Sequence, residues 1–203
     1  MMSLWLAHEP LVLASNSAPR RAILEAAGIP VEVCPAGIHE RAVESSAAPG
    51  TAGLVAKLLA REKAWAVAAR MPGRLVLGAD QTLALGDRRF DKPATREAAR
   101  AQLQALAGRT HELYSAIAFV RDAKLMSEHV RVARMTMRPL SDAFLDVYLD
   151  LAGPAVTESV GAYQVEGLGI HLFERFDADH FTILGLPLIE ALSFLRAAEY
   201  LKA

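Results

Sequence analysis

The sequence predicts an α/β fold with a mixed, twisted sheet flanked by helices, and two observations support this prediction. Short apolar runs alternate along the chain with segments whose apolar residues recur at helical spacing. In two places, residues 74–90 and 111–138, two extended segments follow each other directly. Because alternation favours parallel pairing and hairpins are antiparallel, the sheet should contain both kinds of pairing.

The composition limits the class of protein. With 203 residues, 53% of them hydrophobic, the chain can bury a core, and we expect a single domain over residues 1–203. A formal net charge of −1 provides no basic field for nucleic acid, and the single Cys34 fits a reducing compartment. The N-terminal residues show no signal-peptide pattern, and no apolar stretch reaches the roughly 18 residues of a membrane span. We therefore expect a cytoplasmic protein that binds neither nucleic acid nor membrane.

Local signals place the elements of the first half of the chain. Pro19 suits the first turn of a helix, where its missing N–H is not needed, and Gly28 suits the end of that helix. Residues 39–53 are rich in Ala, Ser, Gly, Pro and charge, which predicts a mobile loop. The other predicted elements are strands at 11–14 and 29–35, a helix at 54–69, and two strands in 74–90 that flank Asp80 and turn at Gly86-Asp87.

Capping residues organise the second half. Thr95 and Ser141 precede helical patterns and are predicted N-caps. Residues 161–176, punctuated by glycine, are predicted to be extended. The remaining predicted elements are a helix from Thr95 to Gly108, strands at 111–122 and 128–138, a helix from Ser141, and a last helix from Pro187.

Polar side chains cluster where the strand at 11–14 gives way to the first helix. A helix N-terminus offers unpaired backbone N–H groups and a partial positive charge, which suits a phosphate. Ser15 and Ser17 add hydroxyl donors, and Arg20 and Arg21 add charge-assisted hydrogen bonds. The stretch therefore predicts a phosphate site. The alternative is that a serine only caps the helix and both arginines lie in solvent.

Asp80 follows the apolar run LVLGA, and this place at a strand end is common for a metal ligand or a general base. The alternative for Asp80 is an ordinary turn aspartate. Glu40, Lys63 and Lys92 carry little signal alone. A solvated surface charge is the favoured interpretation of Glu40 and Lys63, and it explains Lys92 as well as a functional role does.

Taken together, these segments resemble the Maf family of nucleotide pyrophosphatases, also described as septum-formation inhibitors. The resemblance covers nearly the whole chain and lies in the order and spacing of SNSAPRR, IHER, LAREKA, GADQT, DKP, GRTHEL and GLPL. It implies an ITPase-like fold with a cleft between two lobes, and a homodimer. It also implies hydrolysis of a nucleoside triphosphate to the monophosphate and pyrophosphate, by a phosphorus-anhydride hydrolase with a divalent metal, Mg²⁺ or Mn²⁺.

The resemblance also implies roles for individual residues. Asp80 would accept a proton and, with Glu40, supply hard oxygen ligands for the metal. Cations are needed because a triphosphate brings several negative charges. The expected phosphate-binding residues are Ser15, Ser17, Arg20, Arg21, Lys63 and Lys92, and the expected base-binding residues are Gln81 and Glu166.

Departures from the family pattern bear on the nucleobase. Many members read GADT, whereas this chain reads GADQT, with Gln81 between the aspartate and the threonine. Many members also carry a lysine where this chain has Ser159 and a glutamine where it has Glu166. These features resemble the branch that acts on 7-methyl-GTP more than the dTTP/UTP branch. A carboxylate can accept together from the N1–H and 2-amino groups of guanine. The alternatives are a dTTP/UTP pyrophosphatase and a non-catalytic nucleotide-binding regulator of cell division; the absence of a basic face disfavours a nucleic-acid-binding protein.

Overall fold

The computed structural model of the protein describes residues 3–46 and 50–203. The chain divides into two compact units. The first unit contains the residues up to Gln81, Ser115–Arg131 and the residues from His180 onward, and the second contains Thr82–Tyr114 and Val132–Asp179. The expectations of a single domain and of a cleft between two lobes stay predictions.

The α/β class with a mixed sheet flanked by helices is confirmed. Among the described residues, seven strands run in the order β2-β1-β3-β5-β6-β7, with β4 paired to β3. The strands are β1 (Leu11–Leu13), β2 (Val31–Val33), β3 (Val76–Leu85), β4 (Arg88–Phe90), β5 (Thr110–Arg121), β6 (Lys124–Met137) and β7 (Phe173–Asp177). The helices are α1 (Ala18–Ala26), α2 (Glu40–Ser46), α3 (Ala52–Ala68), α4 (Arg96–Leu106), α5 (Asp142–Ala152), α6 (His180–Ile183) and α7 (Leu188–Ala197).

Parallel pairing organises the first unit. β1 pairs in parallel with both β2 and β3, and Leu11 and Leu13 are fully buried. A short strand covered on both faces is apolar throughout, as the sequence of β1 is. Leu13 pairs with Leu77, and the N–H of Ala14 donates to the carbonyl of Leu77 at 2.8 Å. This register brings the residues that follow β1 beside those that follow Leu77 in β3.

Hydroxyl caps begin several helices where the sequence predicts them. Thr95 accepts from the N–H of Ala98 at 3.2 Å, and Ser141 accepts from the N–H of Phe144 at 3.2 Å. Each cap satisfies one of the N–H groups that the first turn leaves without a partner. The predicted caps of α4 and α5 are therefore confirmed.

The prediction that Asp80 lies at a strand end with a strand on either side is wrong, because β3 runs through Asp80 without a break, and buried apolar residues resume after it at Leu83 and Ala84.

Two further segments differ from the sequence-based expectation. Within the predicted loop 39–53, Glu40–Ser46 forms α2 and α3 already begins at Ala52, while residues 47–49 lie outside the described residues. The predicted extended segment 161–176 contains 3₁₀ turns at Val160–Ala162 and Leu168–Leu172, so extended backbone begins only with β7. Local composition misled both predictions, because alanine, serine and glutamate are compatible with a helix and glycine is compatible with tight turns.

No helix among residues 3–46 and 50–203 combines the length and the apolar character needed to cross a membrane.

A buried histidine lies in the aromatic core of the second unit. His111 is fully buried, and its Nε2 lies 2.7 Å from the hydroxyl of Tyr163, while its Nδ1 has no hydrogen-bond partner among the described residues. The Tyr163 hydroxyl also lies 3.7 Å from the sulfur of Met135. Burial lowers the pKa of His111 from 6.5 to about 4, because the charged imidazolium loses its hydration there.

We expect His111 to make stability fall as pH falls from about 6.5 to about 4. In that range the unfolded chain binds a proton at this position and the folded chain does not, so acid favours unfolding, by on the order of 3 kcal/mol in total. His111→Gln keeps a donor near Tyr163 and removes the titration, so its free energy of unfolding should fall less steeply. Urea unfolding at several pH values measures the difference, and parallel curves for the two proteins would contradict the assignment.

Candidate functional site

A lysine joins two carboxylates at the centre of the candidate site. The ammonium of Lys63 on α3 lies 2.6 Å from Asp80 Oδ1 on β3 and 2.6 Å from Glu40 Oε1 at the start of α2. Asp80 is only 6% exposed, whereas the side chain of Glu40 is half exposed. Three charged residues that lie far apart along the sequence, and that the family resemblance assigns to one site, therefore meet at one point of the first unit.

Gly78 makes this meeting possible. A Cβ added at Gly78 would lie 2.0 Å from the carbonyl oxygen of Ala60 and 2.8 Å from the backbone nitrogen of Ala64. A side chain there would push α3 away from β3, so glycine allows the two backbones to come close. Because Lys63 directly precedes Ala64, and Asp80 comes two residues after Gly78, this approach sets the distance between ammonium and carboxylate.

Arg20 is fixed beside this group by backbone and side-chain acceptors. Its Nε donates to the carbonyl of Gly185 at 2.9 Å, and its Nη1 donates to the carbonyl of Ala79 at 2.9 Å and to Ser15 Oγ at 3.2 Å. Burial lowers the pKa of Arg20, opposed by the charges of Asp80 and Glu40. An arginine nonetheless keeps its proton, so Arg20 contributes a positive charge whose plane is set by these bonds.

The other members of the SNSAPRR stretch have different positions. Ser17 accepts from the N–H of Arg20 at 3.4 Å as the N-cap of α1, and Ser15 Oγ accepts from the N–H of Ser17 at 3.2 Å. Arg21 forms an (i, i+4) ion pair with Glu25 at 2.9 Å, and its side chain is 57% exposed. The structure thus places Ser15 and Arg20 at the site, makes Ser17 a cap, and turns Arg21 to a solvent-exposed ion pair.

The amide nitrogen of Gln81 is engaged inside the first unit. It donates to Ser115 Oγ at 2.9 Å and to the carbonyl of Ile183 at 3.0 Å. The acceptors determine the orientation of the amide, since a carbonyl can only accept a hydrogen bond. The predicted contact of Gln81 with a nucleobase is thereby limited to Oε1 and stays a prediction.

Lys92 and Glu166 lie in the second unit, where both are exposed. The roles predicted for them, phosphate binding by Lys92 and base binding by Glu166, stay predictions.

Burial and charge oppose each other at Asp80. Burial raises the pKa of Asp80 above its ordinary value, while the positive charges of Lys63 and Arg20 lower it and Glu40 raises it slightly further. The net direction is upward because desolvation of the carboxylate is the largest effect. A carboxylate with a raised pKa is a better proton acceptor than an exposed aspartate.

The donor set fits a divalent cation that also binds phosphate. The part of the chain that the structure describes contains no group of three or more His, Cys, Asp and Glu side chains suited to a metal. Asp80 and Glu40 nevertheless direct carboxylate oxygens at one cation, the ammonium of Lys63. Mg²⁺ typically uses one or two carboxylates together with substrate phosphates, and this pair matches that need.

Sequence reasoning missed Gly78, Ser115 and Gly185 as residues that shape the site. Ser115 is fully buried, and its Oγ donates to the carbonyl of Thr182 at 2.7 Å. Its partner lies 67 residues away along the chain, so no local pattern signals the contact. The GLPL segment drew attention only through the family resemblance.

Replacement of Gly78 by alanine should destabilise the protein by about 3 kcal/mol, because the new methyl group meets backbone atoms of α3 that cannot move alone. Chemical unfolding of Gly78→Ala measures the loss. Gly167→Ala is the matched control, since the nearest atom to its added Cβ is 3.8 Å away and its φ is negative. Equal stability of Gly78→Ala and the unmodified protein would show that α3 is not held by this contact.

Comparison with known proteins shows which family the chain belongs to. The family model described as Maf-like protein matches residues 10–198. A nucleoside triphosphate pyrophosphatase of Rhodopseudomonas palustris (strain BisB18) is 57% identical over 195 residues, 96% of each chain. A 7-methyl-GTP pyrophosphatase of Mesorhizobium japonicum is 51% identical over 193 residues, 93% of this chain and 96% of that one. A solved HAM1 protein from Coxiella burnetii is 20% identical and covers 63% of this chain and 72% of its own, with a TM-score of 0.39, too low to support an argument. The family match and the two full-length relatives show that the chain belongs to the Maf-like protein family.

Proposed function

We propose that the protein hydrolyses a nucleoside triphosphate to the monophosphate and pyrophosphate. The observation that carries the proposal is the buried Asp80 carboxylate held at 2.6 Å from Lys63, with Arg20 fixed beside it. The names of the relatives from Rhodopseudomonas palustris and Mesorhizobium japonicum support the same reaction class.

The cations suit a polyphosphate. A hydrolase must offset the charge of the triphosphate and the further charge that develops when water attacks phosphorus. Arg20 offers a planar guanidinium of fixed orientation, and Lys63 offers a compact ammonium. Both cations are held in place by protein acceptors before substrate binds, and phosphate oxygens would compete with the carboxylates for Lys63 when they arrive.

Asp80 is the proposed general base. The oxygen of a water molecule forms a bond to the α-phosphorus, the bond from that phosphorus to the bridging oxygen breaks, and pyrophosphate leaves with the bonding electrons. The proton of the water passes to a carboxylate oxygen of Asp80, whose pKa is raised by burial. Lys63, at 2.6 Å from Asp80, stabilises the ionised form that must be present before the attack.

Asp80 and Glu40 are the residues that would hold the divalent cation, Mg²⁺ or Mn²⁺. When bound, such an ion would offset phosphate charge and lower the pKa of a coordinated water.

Glu166 supports a preference for a 7-methylated guanine nucleotide. Its exposed carboxylate can accept from the two adjacent N–H groups of guanine, and the positive charge of a 7-methylated purine favours a carboxylate further. The Mesorhizobium japonicum relative is named for 7-methyl-GTP, whereas the Rhodopseudomonas palustris relative is named only for nucleoside triphosphates. A dTTP/UTP pyrophosphatase, the alternative that the family resemblance leaves open, is the second candidate.

A nucleotide-binding regulator without turnover is the candidate of another class. Simple binding needs cations and does not need a buried carboxylate with a raised pKa, so Asp80 favours turnover. Release of pyrophosphate separates the two candidates. The homodimer, the cytoplasmic location and the absence of nucleic-acid and membrane binding stay predictions, and sedimentation of the purified protein would test the first of them.

We expect Asp80→Asn to lower the rate of pyrophosphate release on the order of 10²–10⁴-fold, because the amide keeps the size of the side chain and cannot accept the proton. Excess EDTA should also abolish turnover of the unmodified protein. The measurement is pyrophosphate release from a panel of natural and methylated nucleoside triphosphates.

Asp87→Asn is the matched control, because Asp87 is exposed in the turn between β3 and β4. Turnover by Asp80→Asn at the unmodified rate would overturn the mechanism.

We expect Glu166→Gln to reduce the preference for 7-methyl-GTP over UTP by about 5- to 150-fold while hydrolysis persists. A carboxylate facing a uracil carbonyl leaves one acceptor against another. Once a bound base covers the exposed Glu166 side chain, that mismatch costs roughly 1–3 kcal/mol, and the amide removes the cost. The measurement is kcat/KM for 7-methyl-GTP, GTP, dTTP and UTP. Glu174→Gln, at an exposed position on β7, is the control. Unchanged ratios would show that Glu166 does not contact the base.

A further inference from the structure

Ser115 is a buried polar residue that the proposed reaction does not use directly. It lies on β5 and is fully buried. Its hydroxyl donates to the carbonyl of Thr182 at 2.7 Å and accepts from the amide of Gln81 at 2.9 Å. Both hydrogen-bonding capacities of the hydroxyl are used, so the side chain ties the strand next to Asp80 to α6.

The turn that follows α6 carries this restraint to Arg20. The N–H of Gly185 donates to the carbonyl of Thr182 at 3.1 Å, and the amide of Gln81 holds the carbonyl of Ile183 at 3.0 Å. The carbonyl of Gly185 then accepts from Arg20 Nε at 2.9 Å. A continuous chain of hydrogen bonds therefore runs from Ser115 through the turn to the guanidinium.

Gly185 fits this arrangement on two grounds. Its φ of +87° lies in the region that side chains rarely adopt, and an added Cβ would lie 3.1 Å from Arg20 Nη2 and 3.3 Å from Nε. The guanidinium thus packs directly against the glycine backbone. The position of that backbone decides where the plane of Arg20 lies.

We propose that Ser115 is a positioning residue, which holds the Thr182–Gly185 turn and thereby orients Arg20 toward the phosphates of the substrate; this rests on the proposed function. The bonds of Nη1 to Ala79 and Ser15 fix one edge of the guanidinium, and the Gly185 carbonyl fixes Nε. Without the bond from Nε to the Gly185 carbonyl, the plane of the guanidinium can rotate about the bonds at Nη1. Nη2 then no longer points in one direction, and a bidentate contact with phosphate is weakened.

The test uses inorganic tripolyphosphate as the probe, so that binding is measured apart from turnover and from the nucleobase. Isothermal titration calorimetry with the full chain compares Ser115→Ala in the unmodified background and in the Arg20→Ala background. Ser127→Ala is the matched control, because Ser127 lies in the same unit on β6 and its hydroxyl lies 3.0 Å from His129 Nε2, away from the Thr182–Gly185 turn. Thermal unfolding of each variant is recorded alongside.

We expect Ser115→Ala to weaken binding of tripolyphosphate roughly three- to tenfold in the unmodified background, the effect of one lost hydrogen bond. In the Arg20→Ala background the same change should have no effect on binding, because the group that Ser115 positions is gone. A purely structural serine would weaken binding equally in both backgrounds. That result, or no weakening in the unmodified background, or undiminished binding by Arg20→Ala, would overturn the proposal.

Gly185→Ala keeps the proposal testable if Ser115→Ala does not fold, since its new methyl group would lie 3.1 Å from Arg20 Nη2 and displace the guanidinium. It should weaken tripolyphosphate binding in the presence of Arg20 and leave it unchanged in the Arg20→Ala background; equal weakening in both would overturn the proposal. Pyrophosphate release is assayed separately. A protein that shows this coupling in binding and releases no pyrophosphate would contradict the proposed function and leave the role of Ser115 intact.

Discussion

The ion pair between Lys63 and Asp80 is the constraint on which the first unit depends. A carboxylate that is almost fully buried must be paired, since an isolated charge in the interior costs several kcal/mol. The partner comes from α3, and α3 reaches β3 only because Gly78 has no side chain. The absence of a side chain at Gly78 therefore allows the two charges to form an ion pair. A substitution that changes the packing of α3 on β3 should also change the geometry of the site.

Charge balance explains how the site is stable before any ligand arrives. Lys63 and Arg20 contribute positive charges, and Asp80 and Glu40 contribute negative ones. A polyphosphate would change this balance, because its oxygens compete with the carboxylates for the same two cations. The carboxylates would then lack a positive partner, and a divalent cation could replace the lost ammonium and guanidinium contacts. For this reason we expect a divalent cation and a polyphosphate to bind together. Glu40, half exposed at the start of α2, can adjust more easily than Asp80.

Sequence reasoning succeeded where the signal was local and failed where the partner was distant. The β1–α1 junction and the caps Thr95 and Ser141 follow from neighbouring residues, whereas Asp80, predicted at a strand end, lies inside β3. The helix α2 was missed because the composition of its segment suits a loop equally well. The engagement of the Gln81 amide with Ser115 and Ile183 was not predictable, since those partners lie 34 and 102 residues away along the chain. Helix and strand propensities depend on a few neighbouring residues, whereas the hydrogen-bond partners of a buried polar group depend on the whole fold.

The two neighbouring arginines show how helical geometry sorts residues that look equivalent in the sequence. Successive residues of an α-helix point about 100° apart, so Arg20 and Arg21 cannot face the same acceptors. Arg20 turns inward to the carbonyls of Ala79 and Gly185, and Arg21 turns outward to Glu25 one turn further along α1. An exposed (i, i+4) pair contributes only a few tenths of a kcal/mol, whereas the inward arginine ties β3 and the turn after α6 to α1. The paired arginines of the SNSAPRR stretch therefore supply one positioned cation and one surface charge. Which of the two arginines turns inward depends on the register in which α1 begins, and Ser17 sets that register as the N-cap.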